Sequence, residues 1–226
     1  METLTMRVFI ILTTLLLCSC VNQQQSTPLP TTLSTTKHTI VLDPISDWTE
    51  RKFVGSTDYS LKTVQGKAAL AANSNATASM LYKKIKIDLR KTPYLNWQWL
   101  VNDTINSNEN EQSRHGDDFA ARVYIAIKPA LLEIKPRAIT YVWANTSKQF
   151  ESWRNPYTNN VAMLAVQSGS RKSQQWLSEK RNLKQDLEQL FGEPINFIEG
   201  IAVMSDSDNT KGTTKAAFSE LFFSAE

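Results

Sequence analysis

The sequence predicts an all-β protein, an antiparallel β-sandwich of jelly-roll type carrying one short helix. Three observations predict it. From His38 onward the apolar residues recur mostly with period two. The apolar runs have strand length and end in turn residues. No long helices alternate with them, which argues against a parallel α/β sheet.

In chain order, "KAALAAN" and "ASMLYKKIKIDL" come first. "YLNWQWLVN" places Leu95, Trp97, Trp99 and Val101 on one side, so both tryptophans are expected in the core. "DFAARVYIAIK" places Phe119, Ala121, Val123, Ile125 and Ile127 on one face, with Arg122, Tyr124 and Lys128 on the other. "RAITYVWA", "VAMLAVQS", "INFIEGIAVMS" and "AAFSELFF" complete about eight to ten strands. One segment has the other period. "RNLKQDLEQLFGEP" sets Leu183, Leu187, Leu190 and Phe191 on one helical face, with Asn182 as cap, Gly192 as left-handed end and Pro194 as stop. A helix over 183–191 covers an end or edge of the sandwich. The polar stretches 102–116 and 145–160 read as long loops, which are often functional.

The 226 residues suffice for one substantial domain, and no repeat or second composition boundary divides 38–226. A net charge of +3 gives no concentrated basic face, so no nucleic acid partner is expected. The two cysteines, Cys18 and Cys20, both precede the domain, which excludes a disulfide framework or cysteine chemistry within it.

Residues 1–19 read as a signal peptide: Arg7 precedes an apolar stretch, Val8 to Leu17, too short to span a bilayer. "LCSC" resembles the bacterial lipobox, which implies cleavage before Cys20 and lipidation of its sulfur. Residues 20–37 are rich in Gln, Ser, Thr and Pro and read as a disordered tether with a reach of roughly 20–25 Å. The expectation is a lipid-anchored protein of the bacterial cell envelope. Val21 follows Cys20 where an Asp would favour the inner membrane, so the periplasmic face of the outer membrane is expected.

The motifs "LNWQWLVN", "GDDFAARVYIAI", "YVWAN", "RNPYTNN", "VQSG", "WLSEKRNLKQDLEQLFGE", "IEGIAVMSDSDNT" and "AAFSELFF" occur here in one order. In that order the chain resembles a bacterial family known as domain of unknown function 3047, over roughly 94–223 and loosely back to about residue 40. The resemblance implies a secreted β-sandwich module with a galactose-binding-like jelly roll, and it brings no catalytic residues. Family members usually carry Gly-Asp before the last strand, where this chain has Ser219-Glu220.

Four constellations carry chemistry. The first is Arg114, His115, Asp117, Asp118 and Arg122. Two carboxylates held together suit acid/base work, but adjacent residues of a strand point apart. The plain alternative is a turn at Gly116-Asp117 with Asp118 paired to Arg122 or Arg181. The second is "SDSDNTKG", where Asp206, Asp208 and Asn209 offer oxygen ligands for a structural calcium ion without matching an EF-hand. An Asp/Asn turn explains the same residues. The third is "ESWRNPYTNN" with Trp143 and Trp176. There Trp153, Arg154, Asn155 and Tyr157 offer rings and planar donors suited to sugars or carboxylates. Alternatively, the rings pack the loop onto the sandwich. The fourth is Arg181, a clamp for an Asp of a neighbouring strand. No nucleophile elbow, P-loop, dinucleotide fingerprint or zinc-protease motif occurs, and two histidines rule out histidine-rich sites.

The leading expectation is a non-catalytic module that binds a glycan or another envelope component, with no cofactor beyond the calcium ion. A polysaccharide hydrolase using Asp117, Asp118 and Asp206, and a purely structural assembly protein, are the alternatives.

Overall fold

The computed structural model describes residues 36–127 and 136–226. The expected signal peptide, Cys20, most of the tether and Lys128 lie outside the described residues. The strands are β1 (Lys37–Thr39), β2 (Thr49–Val54), β3 (Asp58–Val64), β4 (Lys67–Asn75), β5 (Ala78–Asp88), β6 (Tyr94–Val101), β7 (Arg122–Ile127), β8 (Arg137–Ala144), β9 (Ser152–Asn155), β10 (Thr158–Ser168), β11 (Leu177–Asn182), β12 (Phe197–Asp206) and β13 (Thr213–Ser224). One helix, α1 (Leu183–Phe191), follows β11.

They form a two-sheet sandwich, as the periodicity predicts. One sheet runs β11-β6-β13-β4-β3, with β1 also paired to β13. The other runs β2-β5-β12-β7-β8-β10-β9. The chain passes repeatedly between the sheets in jelly-roll fashion. One pairing departs from the antiparallel expectation: β10 lies parallel to β8, with Val161 opposite Ala138 and Leu164 opposite Tyr141. The intervening β9 hairpin returns the chain to the same end of the sheet, which makes the parallel pairing possible.

The core sits where β6 faces β8. Trp97 stacks on Tyr141 with centroids 5.2 Å apart, and Trp99 meets Trp143 at 5.7 Å. All four are fully buried. Trp143, expected as a ligand-binding ring, is therefore core, and its Nε1 donates to Gly169 O at 3.1 Å. Its position in β8 keeps it in phase with Ile139 and Tyr141, which both face the opposite sheet.

The helix forms where its apolar spacing places it. Asn182 accepts from Gln185 N at 3.1 Å, Gly192 takes φ 73, and Leu183 and Leu187 are fully buried. Two other expectations change. The 145–160 loop contains β9 and the start of β10. The apolar segment at Phe119 becomes a strand only from Arg122. Phe119 joins Val142, Ala144, Met163 and Ala165 in a second cluster, on the outward side of the seven-stranded sheet. The phase therefore breaks between Phe119 and Val123, and 119–121 is a buried bend rather than strand.

Candidate functional site

Three segments converge on one corner: 114–118, 155–157 and 206–210. Their centre is Arg122, which opens β7 on the outward side of the sheet and is 1% exposed. Its Nε donates to Asp206 Oδ1 at 2.7 Å, and its Nη2 pairs with Asp206 Oδ2. Nη1 reaches Asp117 Oδ1 at 3.2 Å, and Nη2 also meets Asp117 O at 2.6 Å. Register explains the pairing: Arg122 lies opposite Met204 on β12, two residues from Asp206 and on the same face. The guanidinium also covers the Phe119 ring at 4.5 Å.

The neighbouring carboxylates take different partners, although residues 117–118 precede the strand rather than belonging to it. Asp117 accepts from Asn155 Nδ2 at 3.2 Å as well as from Arg122. Asp118 pairs with neither Arg122 nor Arg181. It accepts from Asn209 N and Nδ2, both at 3.1 Å, and from Thr210 N at 2.6 Å and Oγ1 at 2.7 Å. Tyr157, exposed at the rim, shares its one hydroxyl hydrogen between Asn209 Oδ1 at 2.8 Å and Arg114 O at 3.1 Å. His115 is exposed beside this corner. Gly116 is required there, because an added Cβ would lie 2.5 Å from Asn110 O.

The adjoining loop is held by Glu111, which the sequence did not single out. Glu111 is buried and accepts from the backbone N–H of Asn145 at 2.6 Å, of Thr146 at 3.0 Å and of Ser147. A carboxylate three residues from Arg114 in a polar loop gave no local signal of this.

Asp118, Asp206 and Asp208 bring one carboxylate oxygen each to within 4.8 Å of one another. Asn209, expected beside Asp206 and Asp208 as a ligand, turns its amide oxygen to Tyr157 instead. The Arg122 guanidinium already occupies both oxygens of Asp206, and Asp118 is filled by four donor contacts. This is an acidic cluster compensated from within. Asp117 and Asp206 are tied to arginine, so the pair does not face a cleft as free acid and base.

The remaining predicted residues separate. Trp153 is half-buried and packs its ring 6.2 Å from Phe119. Arg154 donates to Leu190 O at 2.6 Å, beside α1. Arg181 forms a bidentate pair with Asp186 of α1, at 3.0 and 2.5 Å, and Tyr141 adds its hydroxyl to Asp186 at 2.7 Å. Trp176 donates to Val64 O at 3.1 Å, at the edge of the other sheet.

Beside the corner lies the outward face of the seven-stranded sheet. Strand register aligns Tyr82 on β5, Ala202 on β12, Tyr124 on β7, Thr140 on β8 and Met163 on β10 across it. Tyr82 and Tyr124 are partly exposed. The parallel row holds Met80, Met204, Arg122 and Val142. The row beyond the tyrosines holds Lys84, Gly200, Ala126 and Ala138, leaving a low floor. Both tyrosines are out of phase with the core residues of their strands, which is the signal that could have found them.

Burial sets the titration of this region. Desolvation pushes Asp206 up to about 7 against the pull of Arg122, and it raises Asp117 and Asp208 in the same direction. Desolvation also pushes the Tyr124 phenol up to about 12, against the pull of the Arg122 charge beside it.

These features define a β-sandwich module with a charged corner bordering an open sheet face. The chain belongs to the family described as "Protein of unknown function (DUF3047)", whose model matches residues 46–222. A comparison with curated proteins finds no sequence match. Among solved structures, the chain is similar to the xyloglucanase domain of NopAA, a type three effector from Sinorhizobium fredii, in complex with cellobiose. The two are 10% identical over 78% of this chain and 92% of that one, with a TM-score of 0.45. It is also similar to the family 11 xylanase from Neocallimastix patriciarum, 8% identical over 83% and 95% of the two chains, with a TM-score of 0.45. A point mutant of a carbohydrate binding module family 29 matches at 8% identity over 84% and 92%, with a TM-score of 0.36.

Two outcomes are expected of the corner. Arg122→Met leaves Asp206 and Asp117 buried without their cation and lowers stability by about 3–5 kcal/mol in urea unfolding. Between roughly pH 4 and 7 the native state holds protons on Asp206 that the unfolded chain releases, so stability falls as pH rises through that window. Asp117 and Asp208 act with the same sign. The urea midpoint at pH 5 is expected to exceed that at pH 7.5.

Proposed function

We propose that this protein is a non-catalytic glycan-binding module, with the outward face of the seven-stranded sheet as its platform. The observation that carries this reading is the row Tyr82–Ala202–Tyr124. Two partly exposed rings flank an alanine, two strand spacings apart, which is roughly 10 Å. That spacing suits alternate pyranose rings of a β-linked chain, whose C–H faces stack on aromatic faces. Ala126, Ala138 and Gly200 keep the floor low, and exposed Lys84 stands beside it to meet hydroxyl groups. Binding rather than hydrolysis is favoured by the side chains present. Of the carboxylates on β12, Asp206 is bound to Arg122, and Glu199 is exposed beside Gly200 with no second carboxylate in the Lys84–Gly200–Ala126–Ala138 row or the Tyr82–Ala202–Tyr124 row to pair with it. The charged corner then serves as a rigid wall at one end of the platform.

The lipobox resemblance supports a lipid anchor at Cys20, in the bacterial envelope at the periplasmic face of the outer membrane. There the module would hold an envelope or extracellular glycan close to the membrane.

Titration calorimetry against neutral β-linked oligosaccharides tests the platform. Tyr82→Ala and Tyr124→Ala are each expected to weaken binding about tenfold, equivalent to about 1.4 kcal/mol. No binding to any neutral oligosaccharide, or binding indifferent to both changes, removes this reading. The anchor is tested separately by expressing the full chain in a Gram-negative host. Wild-type protein is expected in the membrane fraction with incorporated fatty acid, and Cys20→Ala is expected to lose both.

A further inference from the structure

We propose that a second site, at the seam of the sandwich between the β9–β10 hairpin and α1, binds a single sugar unit bearing a carboxylate. The cleft there encloses about 220 Å³ and is lined by Phe150, Leu164, Arg181, Asp186 and Gln189 among others. That is smaller than the roughly 300–1,000 Å³ of sites for drug-sized ligands, and it suits one monosaccharide.

Three observations point to that ligand. The first is Phe150. The residue is 59% exposed and its backbone sits at φ 69, a left-handed conformation that costs any residue with a β-carbon. The strained turn is held by hydrogen bonds from Phe150 N to Ala165 O at 2.6 Å and from Glu151 N to Lys148 O at 3.0 Å. Core packing does not explain a strained backbone that presents a large ring to water. Such strain collects at ligand clamps.

The second is Arg181, whose guanidinium lies 5.4 Å from the Phe150 ring centroid. Asp186 orients it through Nε and Nη2, and the Tyr141 hydroxyl fixes Asp186 in turn. Nη1 takes no part in that pairing, and the Arg181 side chain keeps 26% of its surface. The third is charge. Arg154 lies beside the cleft, bonded to the carbonyl of the lining residue Leu190. Within the lining Arg181 is paired with Asp186, and Arg154 brings a second guanidinium beside it, with no carboxylate among its own contacts in the described residues.

The ring supplies a stacking face for the sugar C–H groups, and a guanidinium matches a carboxylate in geometry and charge. The Gln189 amide is available to hydroxyls. A neutral sugar would gain the stacking alone. The site uses elements distinct from the Tyr82–Tyr124 platform, so it stands or falls independently of it.

The test uses the full chain, with D-glucuronic acid and D-glucose as probes in NMR titrations. Glucuronate is expected to bind at least tenfold more tightly than glucose. Phe150→Gly is expected to cut glucuronate affinity at least tenfold and to raise the melting temperature, because glycine takes φ 69 without strain. Arg154→Gln is expected to narrow the difference between the two sugars. Tyr82→Ala and Tyr124→Ala are expected to leave glucuronate binding intact. The proposal is overturned by undetectable glucuronate binding, by equal affinity for both sugars, or by binding that survives Phe150→Gly. It is equally overturned if Phe150→Gly melts lower, since the ring would then be structural, or if the tyrosine changes abolish glucuronate binding.

Discussion

A single buried guanidinium organises the corner of this molecule. Arg122 lies inside the protein with almost no contact with water, and an uncompensated charge at that depth would be prohibitive. It is tolerated because Asp206 arrives from β12 and Asp117 from the preceding loop, each with an oxygen at hydrogen-bonding distance. That requirement positions the rest. Asp117 brings Asn155 of the β9 hairpin, and the adjacent Asp118 holds the turn at Asn209 and Thr210. Three polar segments that would otherwise be independent loops become one unit. Such a pair need not add net stability over an apolar core, but only one arrangement of the loops satisfies it.

The consequence for function is spatial. The corner rises over one end of the seven-stranded sheet and closes Phe119 beneath it, with Val142, Met163 and Ala165. Beside the covered part, the face carries two tyrosines over a floor of small residues. The wall and the open face are products of the same register, since Arg122 and Tyr124 occupy alternate outward positions of β7. At the seam beside α1 a second arginine, Arg181, is organised by the same device, a buried carboxylate on a neighbouring element. There the pairing leaves room for a cleft.

Much of the fold was legible because burial imposes periodicity. β6, β7, β8 and β12 show it clearly, and α1 displayed its cap, its face and its stop. The less legible elements have physical reasons. β2 and β3 lie at sheet edges and are mostly exposed, so their sequences carry no apolar alternation. β9 is four residues long and ends at Asn155-Pro156, which reads as a turn. The parallel pairing of β8 with β10 has no local signature at all. At Phe119 the alternation looked continuous because alanines on both sides fit either phase. Of the predicted site residues, those of the corner do come together, but as mutual partners rather than as a set facing a ligand. Trp143, in a strand run just before that loop, shares the aromatic character of the loop's rings, yet it faces Trp99 across the core.

By itself the sequence determined the fold class, the helix, the core tryptophans and the family, because each depends on local periodicity, capping or an ordered set of motifs. Tertiary structure alone decided which carboxylates meet Arg122, that Glu111 anchors a loop, and that Tyr82 and Tyr124 share one face while Phe150 and Arg181 share a cleft. Most of those relations join residues tens of positions apart, through strand order and register. Register is set by the packing of the whole sandwich, and no short stretch of chain contains it.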